Sequence, residues 1–389
     1  MTVNFEFLGE EPIENVITCL NYKVDKVVYF GYREVIQEYK GRTENFVKKY
    51  CDVHQVVFHP LSHNNLQSVL KTMKGEIEYE IGQGSDIYFD ITGGESLILV
   101  AFGMLSEKYK TSMHIYNVPQ GKLIELNEGI NKCISKSVEK KSVRLTLDML
   151  IEMQGGIIDY NRKKEIKGSL SEDFENDVNR IWDVAKKYQN LWNPFSDFIR
   201  SNLAPDDNLI VGGNAGRIAG KLSSSNGSLR SIRELNEIID DLGEVGVLQN
   251  IVHSDGVYSF KFKNDDVKKC LWEGGSILEL HTYQLERANS DECQVGVHLD
   301  WDGIIHNRPG VDVLNEIDVL SLKGYVPTFI SCKSGKMDSP QILHALYELD
   351  TVANRFGGKY AKKVLVTTAE IKGVYKERAE EMEIETRQI

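Results

Sequence analysis

Short apolar runs and helical stretches take turns along the first 125 positions. FEFLG, VDKVVYFGY, HQVVFHPL, SDIYFDITGG, SMHIYNVP and KLIELNEG are apolar or alternating segments bounded by Gly, Pro and polar residues, the pattern of strands. PIENVITCLNY, REVIQEYKGRTENFVKKY, NNLQSVLKTMKGEIEYEI and ESLILVAFGMLSEKY lie between them and read as helices. Strand and helix in succession predict a three-layer α/β domain over residues 1–125, with a mainly parallel sheet. Ligands of such a sheet sit at the carboxyl ends of its strands.

From 126 to 228 the pattern is least informative, and the segment reads as a helical connector. LTLDMLIEMQGGII predicts a helix ending at Gly155-Gly156. EDFENDVNRIWDVAKKYQNLWNPFSDFIR predicts a helix broken near Pro194, with Trp182 and Trp192 as core. KLSSSNGS, residues 221–228, reads as a linker. The third part, 229–389, opens with the helix and turn SIRELNEIIDDLGEVGVLQNI and the strand VYSFKFK. After Gly274-Gly275 comes the helical SILELHTYQL, then the strands VGVHLDWDG, NEIDVLSL and VPTFISCK, the last two joined by a turn at Lys323-Gly324. DSPQILHALYELDTVANRFGG reads as a capped helix, with Asp338 or Ser339 as cap, Pro340 in its first turn and Gly357-Gly358 ending it. KKVLVTT returns as a strand.

Composition narrows the class. The chain has 389 residues, enough for two or three domains, and its 41% hydrophobic and 27% charged content is that of a soluble globular protein. No apolar run approaches a membrane span, and MTVNFEFLGE reads as a strand, not a signal peptide. The six cysteines are scattered with no CxxC, which argues against structural zinc and disulfides and implies a cytoplasmic location. A net charge of −12 argues against a high-affinity duplex binder; nucleic acid would have to meet a local patch or bound cations.

Two places carry candidate chemistry. In NEIDVL the side chains of Glu316, Asp318 and Leu320 share one face, and in FISCK those of Ser331 and Lys333 do. A hairpin would bring two carboxylates beside a lysine. A solvated polar face is the plain alternative, but Ile317, Val319, Ile330 and Cys332 surround these residues with apolar neighbours. Carboxylates set among apolar strands call for a partner, and a divalent cation is the simplest one. Upstream, Glu279 stands inside the apolar helical run of Ile277, Leu278 and Leu280. The second place is a pair of strand-to-helix junctions, Leu8-Gly9-Glu10-Glu11-Pro12 and Asp90-Ile91-Thr92-Gly93-Gly94-Glu95-Ser96. A Thr-Gly-Gly turn opening a helix can hold an anion on free backbone N–H groups, or it can be a tight turn with Thr92 as N-cap. It is neither a Walker A motif nor GxGxxG, so a nucleoside triphosphate or NAD does not fit.

The C-terminal set, a helix glutamate followed by Asp318 and then Ser331-Cys332-Lys333, resembles the PD-(D/E)xK nuclease superfamily. That resemblance implies a restriction-endonuclease-like α/β/α domain over 229–389 and a metal-dependent nuclease. It implies Mn2+ or Mg2+ held by Asp318, Glu279, the backbone carbonyl of Cys332 and Glu316, with Lys333 orienting the water or neutralising the phosphate. Ser331 stands where the family has Glu or Gln. FLGEEPIENV and YFDITGGESLILVAF resemble the CARF domain, a Rossmann-like sensor of CRISPR-associated proteins. That resemblance implies a homodimer binding one cyclic oligoadenylate at Gly9, Glu10, Thr92, Gly93, Gly94 and Glu95. His59, Ser62 and Asn117 are added by position. It also admits a winged-helix-like connector at 126–228.

Together the two ends are similar to type III CRISPR ancillary nucleases, and no R-x(4–6)-H motif points instead to a HEPN ribonuclease. The implied activity is cleavage of DNA or RNA phosphodiesters, switched on by cyclic oligoadenylate, with cyclic tetra-adenylate expected. Two rivals remain: a ligand-responsive nucleic-acid-binding protein with a degenerate nuclease core, and a ring nuclease that degrades the cyclic messenger.

Overall fold

The structure is a computed structural model; it describes residues 1–126, 142–162, 170–204, 206, 208–224, 228–254, 256–305 and 314–389. The N-terminal unit runs β1 (Thr2–Phe7), α1 (Ile17–Asn21), β2 (Lys26–Tyr32), α2 (Arg33–Tyr50), β3 (Gln55–Leu61), α3 (Leu66–Gly82), β4 (Asp86–Asp90), α4 (Ser96–Tyr109), β5 (Ser112–Asn117) and β6 (Lys122–Glu125). Its six-stranded sheet has the order β3-β2-β1-β4-β5-β6. The first five strands are parallel and β6 is antiparallel to β5. β2 is buried along its whole length, as a strand covered by helices on both faces must be. Chain order reverses between β1 and β4, so their carboxyl ends open a crevice where both expected junctions lie.

Next come α5 (Leu147–Met153), β7 (Ile157–Ile158), α6 (Glu172–Lys187), α7 (Gln189–Phe198), β8 (Ile210–Asn214), α8 (Ala215–Ser223), α9 (Ile232–Glu244), β9 (Leu248–Val252) and β10 (Val257–Phe262). The last part holds α10 (Asp265–Trp272), α11 (Ser276–Arg287), β11 (Glu292–Asp300), β12 (Leu314–Lys323), β13 (Val326–Lys333), α12 (Ser339–Gly357), β14 (Lys362–Thr367), α13 (Val374–Glu381) and β15 (Ile384–Gln388). Its mixed sheet has the order β15-β14-β13-β12-β11-β7. The pleat divides this sheet between two cores. Leu320, Phe329 and Leu365 face α12 and the N-terminal unit; Val319, Ile330 and Val364 face α11 and α6.

The packing differs from the expected connector in three ways. First, β7 pairs antiparallel with β11, so the segment after 126 contributes an edge strand to the C-terminal sheet. Second, β8, β9 and β10 form a separate antiparallel sheet, order β8-β10-β9, that cuts across the expected boundary at 228. Tyr258, Phe260 and Phe262 alternate into the core beneath it. Helix, strand, two helices and two strands in this order make a winged helix. Third, the long helix breaks at Tyr188, not at Pro194. Pro194 lies inside α7 and frees the Asn190 carbonyl, which accepts a hydrogen bond from Ser228 Oγ at 3.2 Å. The expected linker at 221–228 is helical through Ser223, and residues 225–227 lie outside the described residues.

α12 is capped as its sequence predicts. Asp338 is the N-cap of a capping box with Gln341, and Gly358 is the C-cap. Its far end meets the N-terminal unit. The Lys359 amide donates to Glu11 Oε2 at 2.9 Å, Tyr360 Oη donates to Glu14 Oε1 at 2.5 Å, and the Lys359 ammonium also rests on Glu14. Nearby, Arg42 and Arg355 donate to the same Gln154 carbonyl, at 2.9 and 2.5 Å.

Candidate functional site

The β12–β13 ladder runs from Lys323 and Val326 to Val319 and Ile330 and ends there. One step further, Asp318 and Ser331 face each other without ladder pairing. The Cys332 amide donates to Asp318 Oδ2 at 2.5 Å, Ser331 Oγ donates to the same oxygen at 3.2 Å, and Lys333 Nζ lies 3.7 Å from it. All three contacts converge on Oδ2, so among the described residues Oδ1 has no protein donor. Ser331 is thus a donor to Asp318, and the Cys332 amide is a second; the Cys332 carbonyl expected to face a metal is a separate group that these contacts do not engage. The Cys332 thiol is buried, and burial followed by the Asp318 charge pushes its pKa far up.

Glu279 enters from the first turn of α11. No donor among the described residues reaches its carboxylate. Burial, then the Asp318 and Glu316 charges, push its pKa up to about 8 against the pull of Lys333. Burial also raises Asp318, opposed by Lys333, the Cys332 amide and the Ser331 hydroxyl. Glu316 is exposed, and its carboxylate lies 3.9 Å from His298 Nε2. Two carboxylates thus repel each other with one lysine between them. Among the described residues no three His, Cys, Asp or Glu groups form a metal centre by themselves. A pair with a bare Oδ1 and an unbonded Glu279 fits Mg2+ or Mn2+, since Mg2+ in particular keeps several waters and takes one or two protein carboxylates plus substrate oxygens.

Of this group Lys333 lines a cleft of about 930 Å3, together with Cys332, Lys336, Asn193, Gln341 and Glu348 among others. Asn193 comes from α7, so the winged-helix unit supplies one wall. The helix such a unit lays into a DNA groove, α9, carries Glu234, Glu237, Asp240, Asp241 and Glu244, which repel phosphates.

At the other end of the molecule, Asn15 pins Gly9 by two hydrogen bonds, 2.8 and 2.9 Å. Glu10 is exposed beside it. Asp90 Oδ1 accepts from the Thr92 amide at 2.7 Å, and Thr92 Oγ1 accepts from the Tyr116 amide at 2.9 Å. Thr92 is therefore not the N-cap of α4. That position is Glu95, which makes no side-chain cap; its carbonyl takes the Ile98 and Leu99 N–H groups, so among the described residues those of Ser96 and Leu97 are the ones left open. Gly94 has φ +130°, which a side chain would not tolerate, and a Cβ on Gly93 would lie 3.0 Å from Glu14 Oε2. Glu95 accepts from Tyr32 Oη at 2.8 Å. The three residues assigned by position are engaged locally. His59 faces Glu76 of α3 at 3.2 Å, Ser62 pairs with Ser68 at 3.2 Å, and Asn117 Oδ1 accepts from the Gln120 amide at 3.1 Å.

The sequence reading missed several residues that shape these sites. Asp90 sits in the quoted motif but was not assigned the turn it holds; its Oδ2 accepts from Thr18 Oγ1 at 2.5 Å. Since that hydroxyl donates to Asp90, His114 Nε2, 2.9 Å away, must donate to it. Burial lowers the His114 pKa. Buried Glu6 lies nearby, its pKa raised well above the usual range by burial and then by Asp90. Tyr32 stacks on His63 with centroids 3.7 Å apart at the same end. Asn193 and Glu14 carry no motif, and only the fold shows what they touch.

No protein family and no curated protein matches the chain by sequence. Its backbone does match solved structures. Protein VC1899 from Vibrio cholerae superposes with a TM-score of 0.69 at 15% identity, over 100% of this chain and 94% of the other. Can2 from Sulfobacillus thermosulfidooxidans, solved in complex with cyclic tetra-adenylate, gives 0.65 at 15% identity, over 99% and 95%. A type III CRISPR defence DNA nuclease activated by cyclic oligoadenylate gives 0.51 at 12% identity; 96% of this chain matches 49% of that longer one. The α/β architecture expected from the sequence is the fold these proteins share. No helix among the described residues is long and apolar enough to cross a membrane.

Proposed function

We propose that the chain is a cyclic-oligoadenylate-activated nuclease of type III CRISPR defence, with cyclic tetra-adenylate as its activator. The observation that carries the reading is the convergence of Glu279, Asp318 and Lys333 where the β12–β13 ladder opens onto the cleft. Residues 1–125 act as the sensor, the winged-helix segment as connector, and the C-terminal sheet as the nuclease. In support, the Can2 structure was solved with cyclic tetra-adenylate, and the third similar structure is described as a nuclease activated by a cyclic oligoadenylate.

The activator lies over Gly9, Glu10 and the Thr92-Gly93-Gly94-Glu95 turn, its phosphates on the open N–H groups of α4. His59, Ser62 and Asn117 contribute at the rim at most. Two copies of the chain pair across this end, where Val100 and Met104 present an exposed apolar stripe on α4. In the cleft, Asp318 and Glu279 hold Mg2+ or Mn2+, with Glu316 turning in from the same face. The cation supplies Lewis-acid chemistry at the scissile phosphate. Asp318 is held by the Cys332 amide and the Ser331 hydroxyl, so Ser331 does its work without being a ligand. Lys333 places its ammonium against the phosphate oxygen that gains charge.

The test is a cleavage assay on plasmid and on labelled single strands of DNA and RNA, with Mn2+ or Mg2+ and cyclic tri-, tetra- or hexa-adenylate supplied separately. Cleavage that needs both the metal and one ring is the expected result. A protein that binds a ring and retards nucleic acid but cuts nothing would be the binding protein instead. Loss of the ring without metal would mark a ring nuclease.

A further inference from the structure

Asn193 belongs to α7, outside the sheet that carries Asp318 and Lys333. Its carboxamide nevertheless meets the residue that follows Lys333 in a reciprocal pair. Nδ2 donates to the Ser334 carbonyl at 3.1 Å, and Oδ1 accepts from Ser334 Oγ at 3.1 Å. The same side chain is pressed against the turn that opens α11. A Cβ on Gly274 would stand 2.7 Å from Asn193 Oδ1 and 3.1 Å from its Cα. On the other flank, a Cβ on Gly335 would stand 3.2 Å from Nδ2. Gly275, next along, lies against Glu279: a Cβ there would be 3.5 Å from Oε1.

These contacts place one side chain between the end of β13, with Lys333, and the start of α11, with Glu279. The ladder to β12 has already ended, and beyond Lys333 the chain is tied to Thr368, whose Oγ1 accepts from the Gly335 amide at 2.8 Å. That tie does not reach α11; Ile330 and Cys332 share an apolar core with Ile277 and Leu278 of that helix, and past the end of this packing the Asn193 contacts add a polar link between the two elements. An amide suits the task because it offers a donor and an acceptor at once. A carboxylate would set an oxygen against the Ser334 carbonyl.

We infer that Asn193 is a positioning residue of the cleft: it fixes the Lys333 end of β13 against the Glu279 end of α11 and so sets the geometry in which carboxylates and lysine act together. The inference rests on the proposed nuclease reading for its catalytic consequence. Its geometric consequence does not. The winged-helix unit becomes part of the active site, since α7 must dock for the site to be in register.

The test compares Asn193→Ala, Asn193→Asp, Ser334→Ala and the Asn193→Ala/Ser334→Ala double variant, with the exposed Asp197→Ala as a control on the same helix. Two readouts are taken on the full-length protein: Mn2+ affinity by calorimetry without substrate, and kcat and KM for ring-activated cleavage. Asn193→Ala should weaken Mn2+ binding and lower kcat by about 10- to 100-fold, as loss of outer partners of a metal site does, with KM nearly unchanged. Asn193→Asp should fall at least as far as Asn193→Ala, because it sets an oxygen against the Ser334 carbonyl. Ser334→Ala should cost less, and the double variant no more than Asn193→Ala alone, because the two residues act as one pair. Asp197→Ala should match wild type. Wild-type Mn2+ affinity and kcat in Asn193→Ala would overturn the inference, as would additive losses in the double variant. If the wild-type protein cuts nothing under any ring, the nuclease reading fails, and the Mn2+ titrations still decide the role of Asn193. If Asn193→Ala does not fold, the Ser334→Ala titration decides it.

Discussion

Replacing Glu279 by Gln should make the metal-free protein more stable near neutral pH while removing a ligand of the proposed cation. The carboxyl titrates near 4.5 when unfolded and at about 8 in the fold, raised first by burial and then by Asp318 and Glu316. A folded-state pKa above the unfolded one gives a contribution that is complete below about 4.5 and lost as pH rises through about 8. At pH 7 the linkage cost is about 3 kcal/mol at full desolvation, and about 2 kcal/mol once the partial exposure of Glu279 is discounted. Gln keeps the shape and cannot ionise, so the cost disappears. The assay is urea unfolding of EDTA-treated wild type and Glu279→Gln across this pH range. The variant should be the more stable near pH 7.5, the gap should close toward about pH 5, and Mn2+ should stabilise wild type more than the variant. A variant no more stable than wild type near pH 7.5, or a gap independent of pH, would refute the buried like-charge account of this site.

Lys333→Ala should lower cleavage by about 100-fold or more while ring binding, read by calorimetry, stays intact. Gly93→Ala would set a Cβ 3.0 Å from Glu14 Oε2. It should weaken ring binding or activation with little change in melting temperature, because Glu14 must give way at the turn. Glu6→Gln should stabilise the protein at neutral pH, because burial and Asp90 raise the folded carboxyl pKa and its favourable contribution is present only below the unfolded value, lost as pH rises. Equal stability of wild type and Glu6→Gln from acid to neutral pH would show that Glu6 ionises freely.

Much of the fold was legible in sequence because β1 to β6 carry their own periodicity and their own turns. Asp318, Ser331 and Lys333 stood out by their spacing, but strict alternation fails in β12, where Ile317 and Leu320 share one core and Val319 lies in the other, against the expectation that Ile317 and Val319 share a face. The winged helix was not legible. β8 is IVGGN, a strand with two glycines and few apolar side chains, and it exists because Val211 finds Phe260 across the β8–β10 ladder. The role of Ser331 was hidden too. A serine in place of an acid reads as a missing ligand, and only the opened ladder shows its hydroxyl on Asp318. Asn193 and Glu14 are ordinary polar residues until distant chain segments close around them.

α12 has a mechanical meaning beyond its caps. Nineteen residues make a rod of about 28 Å. Its first turns, at Pro340, Gln341 and His344, form part of the cleft wall. Its tail leads into Lys359 and Tyr360, which grip Glu11 and Glu14, and Glu14 lies under Gly93. Buried Leu346, Leu349, Val352 and Ala353 clamp the middle like a fulcrum. A sideways shift of about 1 Å at the tail, about 14 Å from that fulcrum, tilts the rod by about 4°. Between the rod and that grip stand Gly358, at φ +64°, and the short turn through Tyr360. Under the proposed function, this rod is the route by which a shift at the Thr-Gly-Gly turn would reach the wall of the cleft.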